Sequence, residues 1–580
     1  MAQLLRIDLT SRTSSPEAVP PDMVREYIGA KGIGGRYLSD EVGPDVDPLG
    51  PQNKMIFAVG PAAGTKMFGA NRYALYFASP LTGGYGECYS GGNVAPQIAG
   101  TGYQFVIIEG KADAPVWLEI SEDGVKVNPA DDLWGLDAFE AEAKLLAKVD
   151  HPKAQASVIG PAGEKLVRFA CINNNKWHQI ARGGPGAVMG SKNVKGIVWH
   201  GDKKVEAARP DKLKELIKDL ATRGKDDPGV TAYRQLGTIM MVRILNGVNA
   251  FPTRYWQKGF YEEFEGLTAE HMREHHLVKN EVCPPCIMQC VKHNEVREGP
   301  YKGLELDGPD YETVYCFGGL CQIPDFAQVM RMNDICDRVG IDTMCGGNMA
   351  ALAIELCEQG KLDLGLTYGD ADGVADFLWK MGRREGEVAD LFADGILKVE
   401  EELGLKGMAV HVKGMAPAGY DPRSLKGMGL GYLTSTRGAC HLRATFYKAE
   451  LAGFIEPAAT EGKAEMLIDW EDRLCQMDNV IYCRFYRDMV QWPYITAVVN
   501  ALVGTDHTTD DLRAISNRII SEAHRFNEQR GFTAATHERL PSCLTDRPTD
   551  DEKALRVTQD EMDFMLRDYY RLRGWGEPAL

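Results

Sequence analysis

No run of apolar residues in this 580-residue chain approaches the roughly 18–20 that a membrane-crossing helix needs. The first residues, Met1 to Thr10, lack a basic segment followed by an apolar run. They read instead as a short strand carrying Leu5, Ile7 and Leu9, so a secretory signal is not expected and the cytoplasm is the expected compartment. Positive charge is scarce as well: 65 Lys and Arg against 82 Asp and Glu give a net charge of −17. Phosphate-rich partners need a basic surface, which argues against nucleic acid or an anionic membrane. No G-x-G-x-x-G follows a predicted strand and opens a helix, so direct NAD binding is not expected. Internal repeats and low-complexity segments are missing too. The 14 cysteines are not spread evenly, as a secreted disulfide framework would be; three fall within eight residues and the rest are scattered among apolar or Gly-rich stretches. That distribution fits a metal site plus buried thiols.

What is present is ordinary globular composition, 44% hydrophobic and 25% charged, in a chain too long for one core. Residues 1–208 hold short β-rich segments separated by Gly and Pro, such as 55–59, 73–78, 105–108, 116–120 and 196–199. After Ala208 the texture changes. Pro210 opens an amphipathic stretch, and helical periodicity dominates at 327–339, 349–359, 374–384, 511–526 and 551–572. A turn-rich segment at 414–422 marks a second boundary. The expected organisation is α+β: a β-rich N-terminal base, 1–208, and two largely α-helical domains, 209–420 and 421–580.

Cys283-Pro-Pro-Cys286-Ile-Met-Gln-Cys290 is a C-x2-C-x3-C cluster. Three thiolates this close can cap three corners of a cubane iron–sulfur cluster, with a fourth ligand from elsewhere. Zinc is the alternative, with His293 as a possible fourth ligand, although no second ligand pair follows. The C-x3-C-x2-C order of a radical-type cluster is not present. Spacing does not choose the fourth ligand among Cys316, Cys321, Cys336, Cys345, Cys440, Cys475, Cys483 and Cys543.

Three further stretches join this motif: Ser79 to Gly83 running on to Ser90-Gly91-Gly92, Arg182 to Asn193, and Asp337-Arg-Val-Gly-Ile-Asp342-Thr343. With Arg437-Gly-Ala-Cys-His441 and the terminal Tyr569 to Trp575, their order and spacing resemble the tungsten-containing aldehyde ferredoxin oxidoreductase family over almost the whole chain. The resemblance implies a cofactor at the junction of the base and helical domains: tungsten, or molybdenum, held by the dithiolene sulfurs of two pyranopterins. It implies Cys283, Cys286, Cys290 and Cys483 as ligands of one [4Fe–4S] cluster. Around Cys483 the family pattern D-x-x-G-L-C reads Asp478-Asn-Val-Ile481-Tyr482-Cys483, and replacement of Gly by Ile481 predicts a reshaped turn. Asp337, Asp342 and Asp478 match positions that accept hydrogen bonds from the pterin edges, a task suited to acceptor-only carboxylates. Arg72, Arg182, Arg437 and Arg443, with the backbone N–H groups of Gly91 and Gly438, are candidates for the pterin phosphates. Tyr89 and Gln179 match positions whose backbone carbonyls hold a magnesium ion bridging those phosphates.

The resemblance also implies a reaction. Glu312 and His441 match the family's proposed acid–base pair, Glu312 as general base and His441 orienting and polarising an aldehyde oxygen. Aldehyde oxidation by water then delivers electrons through the cluster to ferredoxin or a similar one-electron carrier. Some members use a Glu before the first Asp to hold iron at a dimer interface; Arg331 stands there, so an iron-bridged dimer of that kind is not expected. Another homodimer, or a complex with an electron-transfer subunit, remains open. Two other readings compete: a subunit acting on an aromatic thioester, as in benzoyl-coenzyme A reduction, and a zinc-stabilised scaffold without catalysis.

Overall fold

The structure, a computed structural model, describes residues 2–580. Two six-stranded sheets make up the N-terminal part. The first runs, edge to edge, Thr13–Ala18, Gln3–Asp8, Phe105–Glu109, Met55–Ala58, Tyr73–Ala78, Tyr85–Ser90. Only Gln3–Asp8 and Phe105–Glu109 pair in parallel; every other neighbour is antiparallel. Its central strands are buried on both faces, which explains their continuous apolar sequences MIFA and YALYFA. The edge strand, TSSPEA, is polar and carries Pro16, which discourages further strand addition. The second sheet runs His178–Ile180, Ile172–Asn174, Gln155–Val158, Val194–Trp199, Val116–Ser121, Gly124–Pro129.

Short helices such as Ala30–Glu41 and Val94–Thr101 pack among these strands, and helices predominate from residue 210. Expected helices appear as Phe326–Val339, Thr343–Glu358, Ala371–Arg383 and Thr509–Gln529. The last helix is shorter than its periodicity suggested: it spans Gln559–Arg573, because Thr558 and Glu561 form a capping box that starts it there. A small antiparallel sheet, His276–Glu281, Val291–Val296 and Glu305–Asp307, interrupts the helical part without having been anticipated. Its strands contain too few apolar residues to announce themselves. The cysteine cluster sits on the 282–290 connection between its first two strands.

The apolar cores do not follow the order of the chain. One takes in the first sheet together with residues from Leu474 to Phe526; another joins residues from 239 to 470 with 534–570. The stretch 421–580 therefore contributes to two cores, and its 474–526 part packs on the base. Among the described residues no helix is long and apolar enough to cross a membrane.

Candidate active site at the junction of base and helices

The thiol end is built by backbone bonds between three distant segments. Gly69 N–H donates to the Pro285 carbonyl (3.0 Å), and Cys483 N–H donates to the Gly69 carbonyl (2.8 Å). Gly69 sits at φ 78°, and a Cβ there would meet the Tyr486 ring at 2.7 Å and Cys483 Cβ at 3.3 Å. These links bring Cys283, Cys286, Cys290 and Cys483 around one small cavity of about 30 Å³. Of the eight candidates for a fourth thiol, Cys483 alone lines it. Several donors point at the sulfurs: Gly92 N–H toward Cys283 (3.4 Å), Met288 N–H toward Cys286 (3.3 Å) and Arg72 Nη2 toward Cys483 (3.4 Å). Burial raises the Cys283 thiol, but His178, the Gly92 N–H and Arg72 together outweigh it and the net pKa falls to about 7. Among the described residues no three His, Cys, Asp or Glu side chains converge on a point where one metal ion could sit. Thiols spaced around a cavity suit a polynuclear cluster better than a zinc ion.

Cys283, Cys290 and Cys483 also line a larger cavity of about 370 Å³, which reaches Glu312 and His441. Arg72, Tyr89, Gly91, Gln179, Arg182, Asp337, Asp342, Arg437, Arg443 and Asp478 line it too. Gly438 does not. It lies between wall residues at φ 107°, where a Cβ would strike Met415 at 2.7 Å, so it shapes the turn rather than facing the cavity.

The carboxylates are less free than expected. Asp342 caps helix Thr343–Glu358, accepting from Met344 and Cys345 N–H, and pairs with Arg182 at 3.3 Å. Asp478 is shared by Arg443 (3.1 Å) and Arg484, with Lys31 at 3.8 Å. Asp337 accepts from Asn333 (2.7 Å) and Gln179, and burial holds its pKa well above the usual carboxylate range. The arginines, by contrast, have spare donors. Arg437 Nε, Arg443 Nε and Nη2, and Arg484 Nη1 are buried without a partner among the described residues. Leaving such donors unpaired costs about 1–3 kcal/mol each, and phosphate oxygens would satisfy them, so the residues present fit a phosphate-bearing cofactor. Tyr89 lies beneath the Arg443 guanidinium, 5.0 Å from ring centroid to cation, and donates to Glu87 (3.1 Å).

Ile481, which occupies the Gly position of the family pattern, adopts a backbone state rare for its side chain. It stands at φ 66°, ψ 46° where helix Lys463–Val480 ends, the left-handed conformation a glycine would take. A β-branched side chain bears the strain of that conformation.

At the far end, Glu312 lies in the short helix Tyr311–Val314. Its Oε2 accepts from Gly419 N–H at 3.0 Å, while Oε1 is buried, without a hydrogen-bond partner, 3.4 Å from His441 Nε2. Burial pushes Glu312 up to about 8. Burial, followed by Arg437 and Arg182, holds His441 well below its ordinary value, so its imidazole is neutral. Tyr420 and Tyr447 stack at 4.0 Å beside the His441 ring. Burial opposes ionisation of Cys440, but Arg437 and Arg443 prevail and draw its pKa down to about 7. Cys440 entered the sequence reading only as a candidate fourth thiol for the cluster, and Glu87, Arg484, Tyr420 and Tyr447 escaped it. Of these only Glu87 left a trace, as a lone acid within a buried strand.

Unpartnered buried cations beside clustered thiols make little sense in a protein that works with side chains alone. They place the chain among the cofactor-dependent oxidoreductases. Residues 4–201 match the N-terminal domain of aldehyde ferredoxin oxidoreductase, and residues 215–579 match its domains 2 and 3. Over 99% of this chain and 96% of their own lengths, the tungsten-containing aldehyde ferredoxin oxidoreductases of Pyrococcus abyssi and Pyrococcus furiosus are 34% and 33% identical to it. The chain thus belongs to the aldehyde ferredoxin oxidoreductase family and is an oxidoreductase. Its fold is shared by the active-site complex of benzoyl-coenzyme A reductase solved with 1,5-dienoyl-CoA (TM-score 0.84, 21% identity, 100% of this chain and 95% of that one).

Proposed function

We propose that the protein oxidises aldehydes to carboxylic acids, taking oxygen from water and releasing two electrons and two protons. The supporting observation is a single cavity with the cysteine thiols at one end and the Glu312–His441 pair at the other. In this reading 1–208 cradles the cofactor, 209–420 carries the cysteine motif and Glu312, and 421–580 carries His441 and Cys483. A bound tungsten or molybdenum bis-pyranopterin supplies a Lewis acid and a two-electron acceptor. Arg72, Arg182, Arg437 and Arg443, with the N–H group of Gly91, would hold its phosphates, and Asp337, Asp342 and Asp478 its pterin edges; Gly438, whose N–H is taken by the Ser435 carbonyl, is left out of that set. Tyr89 and Gln179 would offer carbonyls to a bridging magnesium ion. Cys283, Cys286, Cys290 and Cys483 would hold a [4Fe–4S] cluster, a one-electron carrier facing ferredoxin or a similar acceptor.

His441, neutral in this site, donates an N–H to the aldehyde oxygen and orients the carbonyl. Glu312, held near neutrality, takes a proton when water adds and can release it at working pH. Tyr420 and Tyr447 keep the imidazole in place and exclude bulk water from it. This chemistry belongs in the cytoplasm.

Elemental analysis of protein purified anaerobically, from cells supplied with both metals, tests the reading first. About one tungsten or molybdenum and four irons per chain are expected, with aldehyde-dependent reduction of a viologen dye and no turnover of benzoyl-coenzyme A. Zinc alone in fully folded protein would overturn the assignment.

A further inference from the structure

His178 lies outside every role assigned so far. It opens the short strand His178–Ile180, just after a turn in which Asn175 and Lys176 are left-handed (φ 49° and 58°). That sharp return brings its ring to the cysteine loop from the side of the base. Nε2 stands 3.8 Å from Cys283 Sγ, the sulfur that Gly92 N–H also approaches. The space is made by Gly91, where a Cβ would lie 3.2 Å from Cys283 Sγ and 3.4 Å from His178 Cδ2. The other ring nitrogen, Nδ1, is buried and has no partner among the described residues, although the ring lines the large cavity. Gln179, next along the strand, is engaged with Asp337.

We infer that His178 is a hydrogen-bonded bridge between the organic cofactor and the cluster. Nε2–H donates to the Cys283 thiolate, and Nδ1 accepts from an N–H of the pterin edge, the donor type its unpartnered lone pair calls for. This rests on the assignment of Cys283 to the cluster. A hydrogen bond to a ligand sulfur withdraws negative charge and raises the potential of the iron–sulfur group. His178 is thus a positioning residue that sets how readily the cluster accepts an electron.

The test uses the anaerobically purified holoenzyme and reads the cluster's midpoint potential by an EPR-monitored redox titration, with iron counted per chain. His178→Phe and His178→Asn remove the donor at the Nε2 position and are expected to lower the potential, with iron unchanged. His178→Gln, whose amide N–H₂ reaches the Nε2 position, is expected to restore most of the shift. In single turnover with an aldehyde, the Phe variant should reduce its cluster more slowly while KM is unchanged. Equal potentials in all four proteins would overturn the bridge. So would loss of iron from all three variants, which would make His178 a ligand of the cluster. Wild-type protein without iron would instead sink the underlying cluster assignment.

Discussion

At the thiol end of the cavity, three of four sulfurs come from one eight-residue stretch, while at the other end Glu312 comes from a short helix and His441 from the distant 435–446 connection between two helices. The thiol end is accordingly rich in local bonds. Backbone N–H groups of Gly92 and Met288 point at sulfur, and Gly69 ties Cys483 to the loop. The Glu–His end has few. Among the described residues Gly419 N–H is the sole hydrogen-bond donor to the Glu312 carboxylate, and the remaining oxygen faces His441 unbonded. One end is arranged to hold something permanently; the other keeps an unsatisfied acceptor and a neutral imidazole ready for a visitor. Pre-organised but unspent polarity of this kind is a mark of catalytic sites.

That contrast can be broken from either side. Removing a sulfur acts hardest: Cys283→Ser is expected to strip iron and abolish dye reduction, since the electron exit is gone, as iron analysis with the viologen assay would reveal. Glu312→Gln is expected to keep both metals and lose activity by on the order of 100- to 10,000-fold, measured as kcat with a saturating aldehyde. If Glu312→Gln instead lost its metals, the two ends would not be functionally separate.

The Glu312 proton sharpens the comparison further. With the carboxyl at about 8 in the fold, kcat/KM should rise with pH and level off above that value, a step missing in Glu312→Gln. Stability should run the other way. The unfolded chain ionises this residue at the ordinary carboxyl value of 4.5, the folded chain only near 8, so the unfolded state sheds a proton that the native state keeps. Native stability therefore falls as pH rises across that window. Thermal melts should show a shallower decline in Glu312→Gln than in the parent.

Smaller effects are expected where glycines only shape the walls. Gly438→Ala forces a side chain into φ 107° against Met415 and should cost roughly 1–3 kcal/mol in denaturant unfolding. Gly91→Ala places a methyl 3.2 Å from Cys283 Sγ and 3.4 Å from His178 Cδ2, so a shift of a few tenths of an ångström suffices. Iron content should drop by less than about twofold, the ordinary outcome of a tight but yielding contact. Measured iron far below that would mean the thiol loop is more rigid than its bonds imply.

The sequence by itself determined the class of architecture and most of the cavity wall. Continuous apolar strands, Gly and Pro punctuation and helical periodicity are local signals, and C-x2-C-x3-C is a local constellation. The ordered set of motifs around Arg182, Asp337 and Arg437 pointed to residues that line one space. Interaction between elements decided the rest. Cys483 is brought to the loop through Gly69 and the neighbouring Tyr486 hydroxyl; Asp342 and Asp478 are tied up in a helix cap and ion pairs; Ile481 is held in a left-handed conformation by burial on all sides (1% exposed). The interwoven cores were hidden for the same reason, since periodicity tells which face of a helix is apolar but not which partner it meets. The shifted protons of Glu312 and Cys440 belong to the tertiary structure alone, because desolvation and the arginines responsible come from segments far apart in the chain.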